Sequence, residues 1–271
     1  MLNELQKKLL LMLKWFHEFC KNNDIRYFAI GGTILGAVRH QGFIPWDDDI
    51  DIGMPRSDYI KLIDIMRKKT DSQYVLESPL QNIDFVYSYS KLYDTSTTLI
   101  ENTRKGVKRG IYLDIFPLDG IGNSLKESVR NFKKIDFRNN LLSSRVCALN
   151  HRRKWYKNMA IVMFSCLPKF ILSKEKLIKS IENLCLKNNY DSSKYVGNLV
   201  GNWHEKEIMP KECFGEPKLY KFENLEIFGP ENYDAYLQNL YGDYMKLPPK
   251  EKQVSHHDYI KIDLNTSYLD N

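Results

Sequence analysis

Hydrophobic residues recur at spacings of three and four along the N-terminus, a pattern that predicts an amphipathic helix. The apolar positions are Leu2, Leu5, Leu9, Met12, Phe16 and Phe19. Lysines interrupt this apolar run and no small-residue cleavage site follows it, so a secretory signal is not predicted. No stretch of the chain approaches the roughly 20 apolar residues that span a bilayer.

Short apolar runs alternate with turns up to about residue 120, which predicts an α/β fold with a mixed sheet flanked by helices. A helix is predicted at 34–39, after the turn Gly31-Gly32-Thr33, and Ser57 is expected to cap the next helix. The predicted strands are 25–30, 47–54, part of 73–100 with Phe85, Tyr87 and Tyr89 on one face, and 110–116, ended by Pro117.

The pattern changes near Ser124, where helical periodicity and basic charge begin and continue to about Asn189. Short strands return over 195–228, with a hairpin predicted around Glu223-Asn224, and Tyr233–Tyr241 predicts a last helix. We therefore expect a catalytic core at 1–123 and a largely helical part with small strands at 124–271 that completes the site. The sequence leaves open whether the second part folds independently.

Composition limits the classes of partner. The 271 residues are 43% hydrophobic, which allows a substantial core, and 40 basic against 34 acidic residues give a net charge of +6. This mild basic excess suits an anionic substrate or an anionic membrane surface, whereas no dense basic patch with stacking aromatics indicates nucleic-acid binding. The five cysteines form no close pairs, which predicts reduced, buried thiols in a cytoplasmic protein.

An acidic cluster carries the candidate chemistry. Ile50 and Ile52 alternate with Asp49 and Asp51, so in a strand the two carboxylates project together while the isoleucines enter the core. Neighbouring carboxylates repel each other unless a cation lies between them, and Mg²⁺ prefers oxygen ligands. We therefore predict a metal site at Asp49 and Asp51. Asp47 lies on the same two-residue spacing as Asp49 and Asp51, and Asp48 does not. The sequence leaves open whether Asp47 and Asp48 belong to the site or to the loop that leads into it.

A third carboxylate is expected in such a site. Asp114 lies between Leu113 and Ile115 in a predicted strand, and a buried carboxylate needs a partner. It is predicted to be a metal ligand or general base, with a structural salt bridge as the alternative. Asp119, just after the predicted strand, is expected to be a loop or turn residue with a weaker claim.

Gly31, Gly32 and Thr33 lie between a predicted strand and a helix, where glycines let a phosphate approach the backbone N–H groups of a helix N-terminus. A Gly-Gly pair alone is weak evidence for a phosphate site. It becomes more specific here because Asp49-Ile50-Asp51 follows 17 residues later. Arg39, on the same helix, is predicted to pair either with a phosphate or with one of the aspartates.

These motifs resemble a known family. The segment GGTILGAVRHQGFIPWDDDIDIGM at 31–54 is similar to the signature of the LicD family of phosphotransferases, which is related to the fukutin-like proteins of the nucleotidyltransferase superfamily. YLDIFPLDG at 112–120 and YGDYMKLPP at 241–249 resemble the second and C-terminal motifs of that family.

The resemblance implies a nucleotidyltransferase-type fold and a divalent metal, Mg²⁺ or alternatively Mn²⁺, held by Asp49, Asp51 and Asp114. It implies transfer of a phospho-alcohol, typically phosphocholine, from CDP-choline or another CDP-alcohol to a glycan of teichoic acid or lipopolysaccharide type, with release of CMP. Gly31, Gly32 and Thr33 would contact donor phosphates, and Arg39 and Trp46 are included among the donor-binding residues.

Three further features stay open at this level. A choline group would need an aromatic or acidic cage, for which Trp46, Tyr87, Tyr112 and Trp203 are candidates. His256 and His257 approach the site or lead into a disordered tail. The segment 151–172 is basic and then apolar, which predicts either a buried helix or peripheral contact at the inner face of the membrane, where a lipid-linked acceptor would lie.

Two rival functions remain. The first is a nucleotidyltransferase that modifies a small molecule and releases pyrophosphate; the segment around Pro45-Trp46 and the C-terminal motif favour the LicD-like reaction instead. The second is a catalytically silent protein that binds a glycan or a metal. The presence of Asp49, Asp51 and Asp114 argues against the silent alternative.

Overall fold

The computed structural model describes residues 2–69, 72–82, 85, 87–103, 106–146, 155–165, 173–255, 257 and 259–270. Within these ranges the helices are α1 (Glu4–Asn22), α2 (Gly31–His40), α3 (Arg56–Arg67), α4 (Leu125–Val146), α5 (Trp155–Ser165), α6 (Lys174–Cys185) and α7 (Tyr233–Tyr241). The strands are β1 (Phe28–Ala29), β2 (Asp51–Pro55), β3 (Tyr74–Glu77), β4 (Ser90–Asp94), β5 (Thr98–Glu101), β6 (Val107–Arg109), β7 (Tyr112–Gly122), β8 (Tyr195–Asn198), β9 (Met209–Pro210), β10 (Lys218–Phe222), β11 (Leu225–Gly229) and β12 (Tyr259–Asp263).

A mixed sheet in the order β1-β2-β7-β4-β3 forms the centre of the fold, as the sequence predicts for an α/β protein. The long strand β7 pairs in parallel with β2 on one edge. On its other edge it pairs antiparallel with β4 through its first half and with β8 through its second half. Because β8 and β9 come from the second half of the chain, both halves contribute strands to this one sheet.

The predicted end of β7 at Pro117 is wrong, because the strand continues through Pro117 to Gly122. Pairing with β4 ends at Ile115 and pairing with β8 begins at Leu118. Pro117 therefore lies at the gap between these two partners, where its missing N–H removes no ladder hydrogen bond on that edge. The continuation also makes Asp119 a buried strand residue rather than the predicted loop residue.

Three other boundaries differ from the predictions. Helix α2 begins at Gly31, so the Gly31-Gly32-Thr33 sequence forms its first turn instead of a loop before it. Helix α3 begins at Arg56 with Pro55 as its N-cap, so Ser57 lies inside the first turn and does not cap it. Phe85, Tyr87 and Tyr89 lie between β3 and β4, so the predicted strand face there is wrong.

The remaining elements follow the sequence pattern. Helix α1 buries its predicted apolar face, the β10–β11 hairpin turns at Glu223-Asn224, and α7 has the predicted bounds. Cys20 and Cys185 are free and buried, as predicted, whereas Cys213 is free but only partly buried. The segment after His257 forms β12, which pairs with β5, so the alternative of a disordered tail is wrong. Cys166 and His256 lie outside the described residues.

A buried ionic contact joins the two halves of the chain. Arg56 on α3 donates to both carboxylate oxygens of Asp119 on β7, at 2.7 and 2.6 Å, and to Glu182 on α6 at 3.1 Å. Burial lowers the pKa of the Arg56 guanidinium, but the charges of Asp119 and Glu182 outweigh it and raise that pKa. A guanidinium with two carboxylate partners can stay ionised in the core, which fixes α6 against the sheet.

Candidate active site

Asp47, Asp48 and Asp49 lie in a loop that precedes β2 and not in the strand itself, which begins at Asp51. The prediction that strand alternation aligns Asp49 with Asp51 is therefore wrong. Distant segments hold this loop instead. Gln6 of α1 donates to the Asp47 carbonyl at 2.9 Å, and Ser255 donates to the Asp48 carboxylate at 2.7 Å.

Asp51 and Asp114 are brought together by the sheet. They are directly opposite each other in the parallel pairing of β2 with β7. The Asp51 N–H donates to the Thr33 hydroxyl oxygen at 2.8 Å, so Thr33 fixes the start of β2 against the first turn of α2. Asp114 is buried and Asp51 partly buried, so both carboxylates belong to the interior side of the site.

The two glycines at the start of α2 permit the closest approach in the site. Gly31 has a φ of +54°, and a Cβ atom there would lie 2.8 Å from Asp51 Oδ2. A Cβ on Gly32 would lie 2.6 Å from Asp47 Oδ2. The Gly31 N–H donates to the Tyr236 hydroxyl at 3.0 Å, so α7 also closes this corner. The carboxylates therefore face the positive end of α2 directly.

Crowding raises the pKa values of these carboxyl groups. Burial and the neighbouring charges of Asp49 and Asp48 raise the pKa of Asp47 to about 8. Burial and the charges of Asp49, Asp114 and Asp47 raise the pKa of Asp51. Carboxylates that destabilise one another in this way gain from a cation, which is the electrostatic condition for a metal site.

A buried lysine provides part of the missing positive charge. Lys91 on β4 is 1% exposed, and its ammonium lies 2.9 Å from Asp114 Oδ1 and 3.2 Å from Glu101 Oε1. Burial raises the pKa of Asp114 while Lys91 lowers it, and burial raises the pKa of Glu101 to about 7. Asp114 thus has the salt-bridge partner that the sequence left as one of its alternatives.

His257 links the acidic loop to the C-terminal segment. Its Nδ1 lies 2.8 Å from Asp48 Oδ1 and its Nε2 lies 3.4 Å from Asp49 Oδ2. Burial lowers the pKa of the imidazole, but the hydrogen bond with Asp48 and the charge of Asp49 outweigh burial and raise it to about 9. The protonated ring is a second internal counter-charge in the acidic loop.

One group of side chains in this centre places three ligand atoms close enough together for a metal ion. Asp48, Asp49 and His257 bring ligand atoms within 4.8 Å of one another, the one such group found among the described residues. The predicted set of Asp49, Asp51 and Asp114 shares only Asp49 with it. The raised pKa values of Asp47 and Asp51, caused by burial and by neighbouring carboxylates, fit the presence of a hard divalent cation close by.

The remaining predicted residues lie beside this centre. Arg39 donates from Nη1 to the Tyr244 carbonyl at 2.8 Å, which ties α2 to the C-terminal motif. Trp46 is partly buried against the core, with its ring edge-on to His40 at 6.3 Å between centroids. In this structure the guanidinium of Arg39 is therefore bound to a backbone carbonyl group.

The proposed cage aromatics separate into two groups. Tyr87 and Tyr112 already face a cation, because the Lys91 ammonium lies 4.5 Å from the Tyr87 ring centroid and 3.2 Å from that of Tyr112. Trp203 is 40% exposed and packs edge-on against Tyr241 at 4.7 Å. Two of the four candidates thus surround an internal ammonium group.

Sequence reasoning did not find Lys91, Glu101 or Tyr236. Lys91 had a partial signal, since it is a lysine beside the apolar residues Leu92 and Tyr93 in the strand Ser90–Asp94. Glu101 and Tyr236 carry no local signal, because they reach the site only through the pairing of distant strands and the docking of α7.

The fold and the site define a mixed α/β protein with an acidic centre beside a helix N-terminus, an arrangement typical of enzymes that transfer phosphorus-containing groups. Residues 24–157 match the family model described as LicD/FKTN/FKRP, nucleotidyltransferase domain.

The chain belongs to the LicD family. It is 33% identical over 260 residues to the lipopolysaccharide cholinephosphotransferase LicD of Haemophilus influenzae, an alignment that covers 94% of this chain and 96% of that protein. The human ribitol 5-phosphate transferase FKRP is 53% identical over 30 residues, 11% of this chain and 6% of that protein. Mannosyltransferase regulator 4 of Saccharomyces cerevisiae is 30% identical over 121 residues, 41% of this chain and 10% of that protein.

This membership makes the protein a phosphotransferase enzyme of a family whose members act on glycans. None of the helices in the described ranges is both long enough and apolar enough to cross a bilayer.

Proposed function

We propose that the enzyme transfers a phospho-alcohol, phosphocholine from CDP-choline, to a sugar hydroxyl of a cell-surface glycan precursor and releases CMP. The observation that carries the proposal is the near full-length similarity to a lipopolysaccharide cholinephosphotransferase, together with the acidic centre. A glycan precursor of lipopolysaccharide or teichoic acid type, carried on a lipid, is the proposed acceptor, and the cytoplasm is the proposed location.

The proposed reaction is an in-line displacement at phosphorus. The sugar oxygen forms a bond to the phosphorus that carries choline, the bond from that phosphorus to CMP breaks, and CMP leaves with the bonding electrons. Asp114 is our candidate to accept the hydroxyl proton, since the Lys91 ammonium 2.9 Å away keeps its carboxylate oriented. Positioning and charge neutralisation supply most of the catalysis in reactions of this class.

The proposed cofactor is Mg²⁺, with Mn²⁺ as the alternative. Asp49 with Asp51 and Asp114 would hold it, or Asp49 with Asp48 and the His257 imidazole after loss of its proton. When bound, a divalent cation neutralises charge on the donor phosphates and on the leaving group. Support comes from the raised pKa values of Asp47 and Asp51, which the charge of a neighbouring cation would lower.

The donor phosphates are proposed to bind beside the first turn of α2, at Gly31, Gly32 and Thr33. The positive end of the helix favours an anion there. Trp46 and Arg39 are proposed to contact the rest of the donor. For choline itself, Trp46 and Trp203 are preferred over Tyr87 and Tyr112, whose rings face Lys91.

The test is a product assay with a panel of CDP-alcohols and nucleoside triphosphates, with and without glycan acceptors. We expect CMP from CDP-choline, and loss of CMP release after chelation with EDTA. Asp49→Asn and Asp51→Asn should abolish release, whereas the exposed Asp64→Asn on α3 should not. Release of pyrophosphate from a triphosphate would instead support the nucleotidyltransferase alternative. Full activity in EDTA would contradict metal dependence.

A further inference from the structure

Helix α5 presents a face of large apolar side chains to solvent. Trp155 is 73% exposed, and Met159 and Met163 are each 59% exposed. Tyr156 and Val162 are exposed as well, and together these five residues are called the α5 face. Their spacing of one, three and four positions puts them on one side of a helix. The sequence left two alternatives for 151–172, a buried helix or peripheral contact with a membrane. The exposure of these five side chains does not agree with the buried helix.

This exposure is unusual for a helix that is already packed. Among the described residues helix α5 lies against α4, and the side chains of the α5 face remain exposed. Soluble monomers rarely expose contiguous apolar patches of more than a few hundred Å², and larger ones mark interaction sites. Removing apolar side chains from water is favourable. A partner that covers the α5 face would therefore bind favourably.

The chemistry of the segment indicates which partner. In the sequence, Arg152, Arg153 and Lys154 immediately precede Trp155, the first residue of α5, so the segment combines basic, aromatic and thioether side chains. Tryptophan and tyrosine favour the boundary between lipid headgroups and acyl chains, and basic residues favour anionic headgroups. This combination of basic and aromatic residues fits the interface of an anionic bilayer.

The length of α5 limits the mode of contact. Its 11 residues extend about 16 Å, roughly half the thickness of a bilayer core. A helix of this length lies in the plane of the interface with its apolar side immersed. We propose that the α5 face docks into one leaflet of an anionic phospholipid bilayer, where it would hold the active site near a lipid-carried acceptor.

The test uses the full chain and vesicles of phosphatidylcholine alone or mixed with phosphatidylglycerol. We expect co-sedimentation with the anionic vesicles, weaker binding to neutral ones, and weakening as salt rises. Met159→Glu combined with Met163→Glu should lower the partition coefficient at least about tenfold, because two immersed side chains become charged. Leu219→Glu on β10, where the native leucine is 51% exposed, is the matched control and should bind like the wild type.

Two results would overturn the proposal. One is absence of binding to both kinds of vesicle; the other is equal binding by the wild type and the double variant. A concentration-dependent dimer that the double variant abolishes, without vesicle binding, would assign the α5 face to a second copy of the chain. Vesicle binding does not depend on the proposed reaction. CMP release from CDP-choline with a water-soluble acceptor should be the same in the double variant and the wild type, so the two proposals fail separately.

Discussion

Single residues in the acidic centre are held by compensating charges. Lys91 faces Asp114 and Glu101 at the inner end, and His257 faces Asp48 and Asp49 at the outer end. Both cations come from outside the acidic loop. Without them the carboxylates would have to be protonated or bound to a metal, because isolated buried charges are costly. Lys91 and His257 can therefore be tested separately.

Removing the Lys91 ammonium should leave Asp114 as a buried, unpaired carboxylate. Lys91→Met is expected to lower the free energy of unfolding by about 3 kcal/mol. The double variant Lys91→Met, Asp114→Asn should recover part of that loss, since both charges are then absent. Urea unfolding of the four proteins in a double-mutant cycle measures the coupling. Additive losses in the cycle would mean that the Lys91–Asp114 contact contributes no stability.

The His257 imidazole should make the metal-free protein sensitive to pH. Its folded pKa of about 9 lies above the ordinary value, so it contributes stability below about pH 6.5 that is lost as the pH rises towards 9. The raised pKa of Asp47, about 8, acts in the same direction, because the folded state again binds the proton more tightly. Urea unfolding in EDTA should therefore give falling stability over this pH range.

His257→Gln should make that fall shallower, and His204→Gln, at an exposed position on the surface, should leave it unchanged. Saturating Mg²⁺ should reduce the fall in the wild type, because the cation replaces protons on the carboxylates. An identical slope in the wild type and His257→Gln would show that the imidazole carries no excess positive charge in the fold.

Elements position the site through close backbone approach. The first turn of α2 lies against the Asp51 and Asp47 carboxylates only because residues 31 and 32 lack side chains. The parallel pairing of β2 with β7 sets Asp51 opposite Asp114. A helix turn and two strands thus determine the geometry that the acidic loop alone does not have.

Gly31→Ala should therefore disrupt both backbone and site. The new Cβ would combine a φ of +54° with a contact of 2.8 Å to Asp51 Oδ2. We expect loss of stability of about 1–3 kcal/mol and loss of transfer activity. Gly106→Ala is the matched control, because its φ is +60° but its nearest neighbour, Ile100 Cγ2, is 3.9 Å away. If both variants keep full CMP release, the close approach at Gly31 has no role in the reaction.

At the scale of the whole molecule the site depends on both halves of the chain. Tyr236, Ser255 and His257 reach the centre from beyond residue 124. Strand β8 covers the second half of β7, and Glu182 of α6 completes the contact with Arg56. The boundary between residues 123 and 124 thus marks a change in the sequence pattern. Several buried contacts join the two parts across it.

A fragment of residues 1–123 is expected not to fold cooperatively by itself. It would leave one edge of β7 unpaired over 118–122 and the buried Arg56 without Glu182. Circular dichroism and urea unfolding of the fragment and the full chain measure this. Mixing the fragment with residues 124–271 should restore a cooperative transition. A sharp unfolding transition of 1–123 alone would establish it as an independent domain.

Elements whose sequence pattern lies within one segment can be predicted from the sequence alone. The periodicity of α1, the turn residues of the β10–β11 hairpin and the bounds of α7 all come from side-chain spacing within one segment. The motifs that indicate the LicD family are also contiguous runs, so they can be recognised without a fold. The acidic residues of the centre were recognisable for the same reason.

The groups that surround the carboxylates of the acidic centre can be identified only from the folded structure. β7 runs through Pro117 because its partners change there, and Asp119 becomes a buried partner of Arg56. Lys91 and His257 meet the carboxylates through contacts between segments far apart in sequence. Such contacts depend on long-range strand pairing and on the electrostatic cost of buried charge, neither of which leaves a pattern in neighbouring residues.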